Sequence, residues 1–312
     1  MTFYTLQFLR FIAASLVLLF HLGIVHSGYK GVDIFFVISG FIMYEKLFLS
    51  VRSKAFTFFI NRLTKIFFLY WFILFLLYIV RPFAIDFSLV NTLLLLPGHH
   101  QILGVSWSLS FELYFYFLIG SVAYLVPQRY CKPVLLFILI ASAANVFLLL
   151  FLHVHIKGTY FLFGKFTCEF FLGILSAFLS EIIFTSVKTR VIVFLALLSL
   201  LLLLVIDVPS GRESLSASIY AILSMLLICF MTIGEKRIAV PAKIAVPVKL
   251  LGDASYAIYL AGAAIDIFFF HGRDKISIAV IIIVTLVVSV FLNQVIENRA
   301  LKYLRKKIYR LG

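Results

Sequence analysis

The sequence predicts an all-α fold: a polytopic helical membrane bundle of about ten transmembrane helices, both termini cytoplasmic. Three observations carry that expectation. Hydrophobic residues fill 64% of the 312 positions and charged residues only 13%, against about a quarter in a soluble domain. The chain has 36 Phe, more aromatic surface than a soluble core of this length buries. Its apolar runs also reach the roughly 20 residues that a spanning helix needs. Disorder, collagen, a disulfide-stapled secreted domain and a soluble enzyme on a single anchor are excluded. A single integral-membrane domain over residues 1–312, with no separate soluble domain, is expected.

The candidate spans fall, in order, at residues 7–25, 32–49, 66–80, 105–126, 134–152, 160–183, 191–206, 215–233, 250–270 and 276–296. The stretch 87–96 is too short to cross and ends at Pro97-Gly98, so a half-inserted or surface segment is expected there. All seven prolines lie at or outside these span ends, where a missing N–H costs little. Loop charge sets the orientation. Eighteen Lys and Arg fall in the loops and tail on one side, among them Arg62, Lys65, Arg129, Lys132, Lys188, Lys236 and Arg305, against six on the other. The richer side is cytoplasmic. This asymmetry accounts for most of the +14 net charge, so nucleic acid is not expected as a partner. Cys131, Cys168 and Cys229 are too scattered for a disulfide framework or a metal site.

Ionisable groups inside spans are costly, and each is therefore a functional candidate. Arg10 and His21 in the first span are 11 residues apart, within about 20° of a whole number of turns and about 16 Å along the axis. They share one stripe. Asp33 enters the second span at about the depth of His21, and Glu112 the fourth. A carboxylate beside an imidazole fixes its tautomer and raises its basicity, as a general base requires. Arg62 and Lys65 share a helical face, either as cytoplasmic anchors or as an anion site that Arg10 completes. Lys165 and Glu169, four apart, either neutralise each other or serve a site. His99-His100 and His153-x-His155 have no nearby carboxylates, and no metal is expected.

These residues come in a familiar order. Arg10-x10-His21, within Leu6-Gln7-Phe8-Leu9-Arg10-Phe11-Ile12-Ala13-Ala14, resembles the opening of the membrane acyltransferase-3 family. Gly31-Val32-Asp33-Ile34-Phe35-Phe36-Val37-Ile38-Ser39-Gly40-Phe41 is similar to its second-helix signature, and Arg62-x-x-Lys65 to its Arg-x-x-Arg segment. Trp107-Ser108-Leu109-x-x-Glu112, Glu169-Phe170-Phe171-Leu172-Gly173 and Leu251 to Leu260 follow in order. There are departures. Lys65 stands for the second Arg and Phe68 for a frequent Pro, Ala261-Gly262 replaces a His-containing turn, and Glu297-Asn298-Arg299 lacks a proline. Lys keeps the charge but loses the bidentate fork.

The resemblance implies an O-acyltransferase, acetylating a sugar hydroxyl of a surface polysaccharide or lipid-linked glycan at the bacterial inner membrane. By the same resemblance the donor is cytoplasmic acetyl-CoA or a close relative. Arg10, Arg62 and Lys65 would hold its phosphates, and His21 would take the acceptor proton or carry the acyl group. Asp33 or Glu112 would orient the imidazole. Trp107, Glu169 and Tyr256 carry over as substrate contacts. The rival expectation is a transporter or flippase for an acyl group or glycolipid, with the buried His, Asp and Glu as a proton relay.

Overall fold

The computed structural model describes residues 3–49, 55–80, 87–97, 102–152, 159–183, 188–205, 213–237, 240–268 and 275–295. Thirteen α-helices run through them, and among the described residues there is no strand. Helix α1 (Tyr4–His21) receives no capping side chain from Phe3, its N-cap residue. The open N–H groups of its first turn are met from a distance. Glu235 accepts from Tyr4 N at 2.7 Å, Thr5 N at 2.9 Å and Thr5 Oγ at 2.5 Å. A carboxylate there satisfies orphan donors and faces the positive end of the helix dipole. At the other end Gly23 takes a φ of +72°. Ile24 N then reaches Leu19 O, and Gly23 N reaches Phe20 O, both at 2.9 Å. These are the paired bonds of a Schellman end, and they stop the helix just past His21.

The chain reverses through a 3₁₀ turn (His26–Tyr29) into α2 (Lys30–Tyr44), whose winding loosens to a π turn over Glu45–Leu49. Then come α3 (Ala55–Val80) and α4 (Phe87–Leu93). Seven residues give α4 a length of about 10 Å, too short to cross, as the sequence suggested. Its carbonyls are held by α3: Tyr70 Oη donates to Thr92 O at 2.9 Å and Trp71 Nε1 to Leu93 O at 2.8 Å. A 3₁₀ turn (Gly104–Ser106) leads into α5 (Trp107–Leu125), and α6 (Gln128–Phe151) follows. The remainder is α7 (Thr159–Phe163), α8 (Lys165–Ile183), α9 (Thr189–Val205), α10 (Glu213–Arg237), α11 (Ala242–Asp253), α12 (Ser255–Phe268) and α13 (Lys275–Leu292).

Three details differ from the sequence expectation. Among the described residues, seven helices are long and apolar enough to cross a membrane, eight if the bent pair α11–α12 is one span. The count of ten is not reached on that measure, because α2 has only 15 α-helical residues and α9 only 17. The run expected as one straight span at 250–270 is broken by a 48° bend between α11 and α12. Pro133 and Pro247 sit inside α6 and α11, since both helices begin before their apolar runs. Each is the sixth residue of its helix. The bond it removes belongs to the carbonyl four residues back, on the exposed residues Arg129 and Lys243.

The most extensive helix contact joins α2 to α8, and its cause is a pair of glycines. A Cβ on Gly40 would stand 1.9 Å from Phe170 O, and one on Gly173 2.0 Å from Val37 O. The two backbones touch directly, as small residues allow between membrane helices. Beside this crossing lies an aromatic core. Phe115 stacks on Phe170 with centroids 4.4 Å apart, Phe111 on Phe161 at 4.5 Å, and Phe36 tilts against Phe166 at 5.1 Å. Offset and edge contacts of this kind add to plain burial, and they fix α2, α5 and α8 around one centre.

Candidate active site

A cleft runs between α1, α2, α3, α5 and α12. One side of α2 forms its floor, from Val32 to Met43, a run of about 16 Å. Arg10 enters from α1, Arg62 and Lys65 from α3, and Glu112 from α5. Arg62 and Lys65 reach the cleft together because three residues along a helix share a face. Tyr116, one turn beyond Glu112, donates its hydroxyl to Glu112 Oε1. Arg62 and Arg10 lie close enough to act electrostatically on that hydroxyl. Three cations and one hydrogen-bonded carboxylate therefore line one cleft whose remaining wall is largely apolar.

Helix α12 supplies two tyrosines. Tyr256 Oη donates to Ile66 O at 2.9 Å. Tyr259 Oη donates to Val105 O at 3.0 Å and shares a 2.7 Å hydrogen bond with Ser108 Oγ. The α12 joint is fixed from below, where Gln7 Nε2 donates to Asp253 Oδ1 at 3.0 Å and Asn293 Nδ2 to Asp253 O at 2.9 Å.

Of the residues singled out in the sequence, the cleft gathers Arg10, Arg62, Lys65, Glu112 and Tyr256. His21, Asp33, Trp107 and Glu169 are not among its lining residues. His21 is the last residue of α1, half-buried, with its ring edge-on to Phe20 at 5.5 Å. Trp107 belongs to the aromatic core, 5.0 Å from Phe166. Asp33 and Glu169 are buried on the other side of α2, facing each other across the α2–α8 contact, with Lys165 and Lys30 as the neighbouring cations. No N–H or hydroxyl donor among the described residues reaches either oxygen of Glu169. Glu169 and Lys165 also border a second groove, between α6, α8 and α10.

Ser108, Tyr116 and Tyr259 line the cleft without having been singled out. The signal for two of them was present. Ser108, Glu112 and Tyr116 are spaced four apart on one helix, which puts them on one face. The paired histidines at 99–100 and 153–155, and the basic residues of the tail, lie outside the described residues.

The fold and the cleft together define a helical membrane protein with a partly cationic cleft inside its bundle. The family model for the acyltransferase domain of the acyltransferase-3 type matches residues 3–294. The chain belongs to that family, and at that level it is a membrane acyltransferase. No curated protein and no solved structure matches it.

Proposed function

We propose that this acyltransferase transfers an acyl group, acetyl foremost, from cytoplasmic acyl-CoA to a sugar hydroxyl of an extracytoplasmic or lipid-linked polysaccharide, in the bacterial inner membrane with both termini cytoplasmic. One observation carries the reading: Arg10, Arg62 and Lys65 converge on a single long cleft from two helices far apart in sequence. CoA is a long molecule with phosphates at one end and a thioester at the other. Guanidinium forks suit phosphate oxygens, and a lysine adds a point charge. The apolar stretch along α2 suits the pantetheine arm.

A thioester is already activated, so the chain's own residues need to hold the donor, move one proton and direct the acceptor. The hydroxyl oxygen attacks the thioester carbonyl, the C–S bond breaks, and the proton leaving the hydroxyl ends on the CoA thiolate. His21 is assigned the proton transfer on its chemistry and on its place one stripe and about 16 Å from Arg10. Glu112, hydrogen-bonded by Tyr116 within the cleft, is assigned to the reacting end. Asp33, Glu169 and Trp107 keep their proposed site roles from the resemblance, acting from outside the cleft wall. The test is complementation of a strain lacking surface-glycan acetylation. His21→Ala and Arg10→Ala, at wild-type membrane levels, are expected to leave the glycan unacetylated. Full acetylation by His21→Ala would remove that residue from the reaction.

A further inference from the structure

We propose that Tyr256 is a positioning residue for donor binding: it acts through α3, holding the face that carries Arg62 and Lys65 against the cleft. This rests on the reading of the cleft as a CoA site. Tyr256 and Ile66 are both buried, and the hydroxyl donates to the Ile66 carbonyl at 2.9 Å. Ile66 directly follows Lys65 and lies one turn beyond Arg62, and all of them line the same cleft. A tyrosine hydroxyl has one proton to give, and here it is given to α3. What Tyr256 turns toward a phosphate is then only lone pairs, which acceptor-rich oxygens do not want. Its effect on the donor therefore passes through the helix it holds.

Three residues on, Tyr259 makes the matching tie to the other wall, through Val105 O and Ser108 at the start of α5. One face of α12 thus grips the cation-bearing helix on one side and the Glu112-bearing helix on the other. The α11–α12 joint is itself tied to α1 and the segment after α13 through Asp253. The spacing of the two walls is set at α12, and Tyr256 sets the cationic side of it.

The experiment is a double-mutant cycle on the full-length chain in detergent, with CoA itself as the probe in titration calorimetry. Tyr256→Phe, which keeps the ring and deletes one oxygen, is expected to weaken CoA about three- to tenfold, the range of one lost hydrogen bond. Arg62→Gln is expected to weaken it about tenfold or more. The double variant is expected to lose less than the product of the two single losses, because the tyrosine has then lost one of the two cations it positions. Tyr259→Phe, acting on the opposite wall, is expected to multiply with Arg62→Gln instead. In turnover with acetyl-CoA, Tyr256→Phe raises KM and leaves kcat unchanged. Melting curves and hydrogen exchange of α3 around Ile66 accompany each variant, and faster exchange there is expected in Tyr256→Phe. Wild-type affinity in Tyr256→Phe, or losses that multiply in the double variant, overturn the positioning role. A wild-type chain that fails to bind CoA overturns the reading of the cleft itself, and this inference with it.

Discussion

Lys65 stands three residues after Arg62 on the same wall of the cleft, and the two cations do not do the same work. An arginine grips two phosphate oxygens in fixed geometry, whereas a lysine contributes charge without direction. Lys65→Arg is therefore expected to tighten CoA a few-fold, read by the same calorimetry; weaker binding would mean that the phosphates do not meet this wall. Glu112→Gln tests the one carboxylate that lines the cleft among the described residues. Its kcat is expected to fall about 100-fold, the scale of a lost acid–base partner, while CoA affinity is expected to hold, because Glu112 is assigned to the reacting end and not to the phosphates. Charge and motif order made Arg10, Arg62, Lys65, Glu112 and Tyr256 legible, and the cleft unites them. Asp33 shows where such reasoning stops. Its depth can be counted from the span end, but depth says nothing about rotation. Val32 lines the cleft and Asp33, about 100° further round the helix, faces Glu169 instead. His21 likewise shares a stripe with Arg10, yet it is not among the residues lining the wall that Arg10 joins. The hydroxyls of Tyr256 and Tyr259 were illegible because their partners are backbone carbonyls on other helices, which no sequence spacing announces.

At the scale of elements, glycines decide how close helices come. Gly40→Ala and Gly173→Ala each drive a methyl into a neighbouring carbonyl, and each is expected to cost about 2–3 kcal/mol or more, as overpacked sites do. Gly234 in α10 has nothing within 4 Å of its would-be Cβ, so Gly234→Ala should be neutral or stabilise by up to about 1 kcal/mol from helix propensity. Thermal melts in detergent separate the three; equal effects would contradict the packing described for α2 and α8. Glu235→Ala strips the donated cap from α1 and is expected to cost about 1–2 kcal/mol. Most helices were legible from apolar runs. The 48° joint between α11 and α12 was not, since no proline or glycine occupies the break. It is held instead by polar contacts from α1 and from just beyond α13.

For the whole molecule, the loop-charge asymmetry predicts which ends meet which water. With the native cysteines replaced, a cysteine at His26, exposed in the turn before α2, should react with an impermeant maleimide on intact cells. One at Arg129, exposed at the start of α6, should react only after permeabilisation. The reverse pattern would invert the bundle and put the cationic wall's helix end on the wrong side for a cytoplasmic donor. The architecture as a class was readable from hydropathy, because bilayer thickness imposes it on every span alike. The number of crossings was less readable, since α2 and α9 fall short of a full span.

The contact between α2 and α8 also says something about genetics. An oversized side chain in an ordinary core can be relieved by a second-site change to a smaller neighbour. Here the atom in the way is the carbonyl oxygen of Phe170 or Val37, and every amino acid brings the same carbonyl. A defect at Gly40 or Gly173 therefore has no suppressor at the point of collision, and revertants should restore the glycine itself.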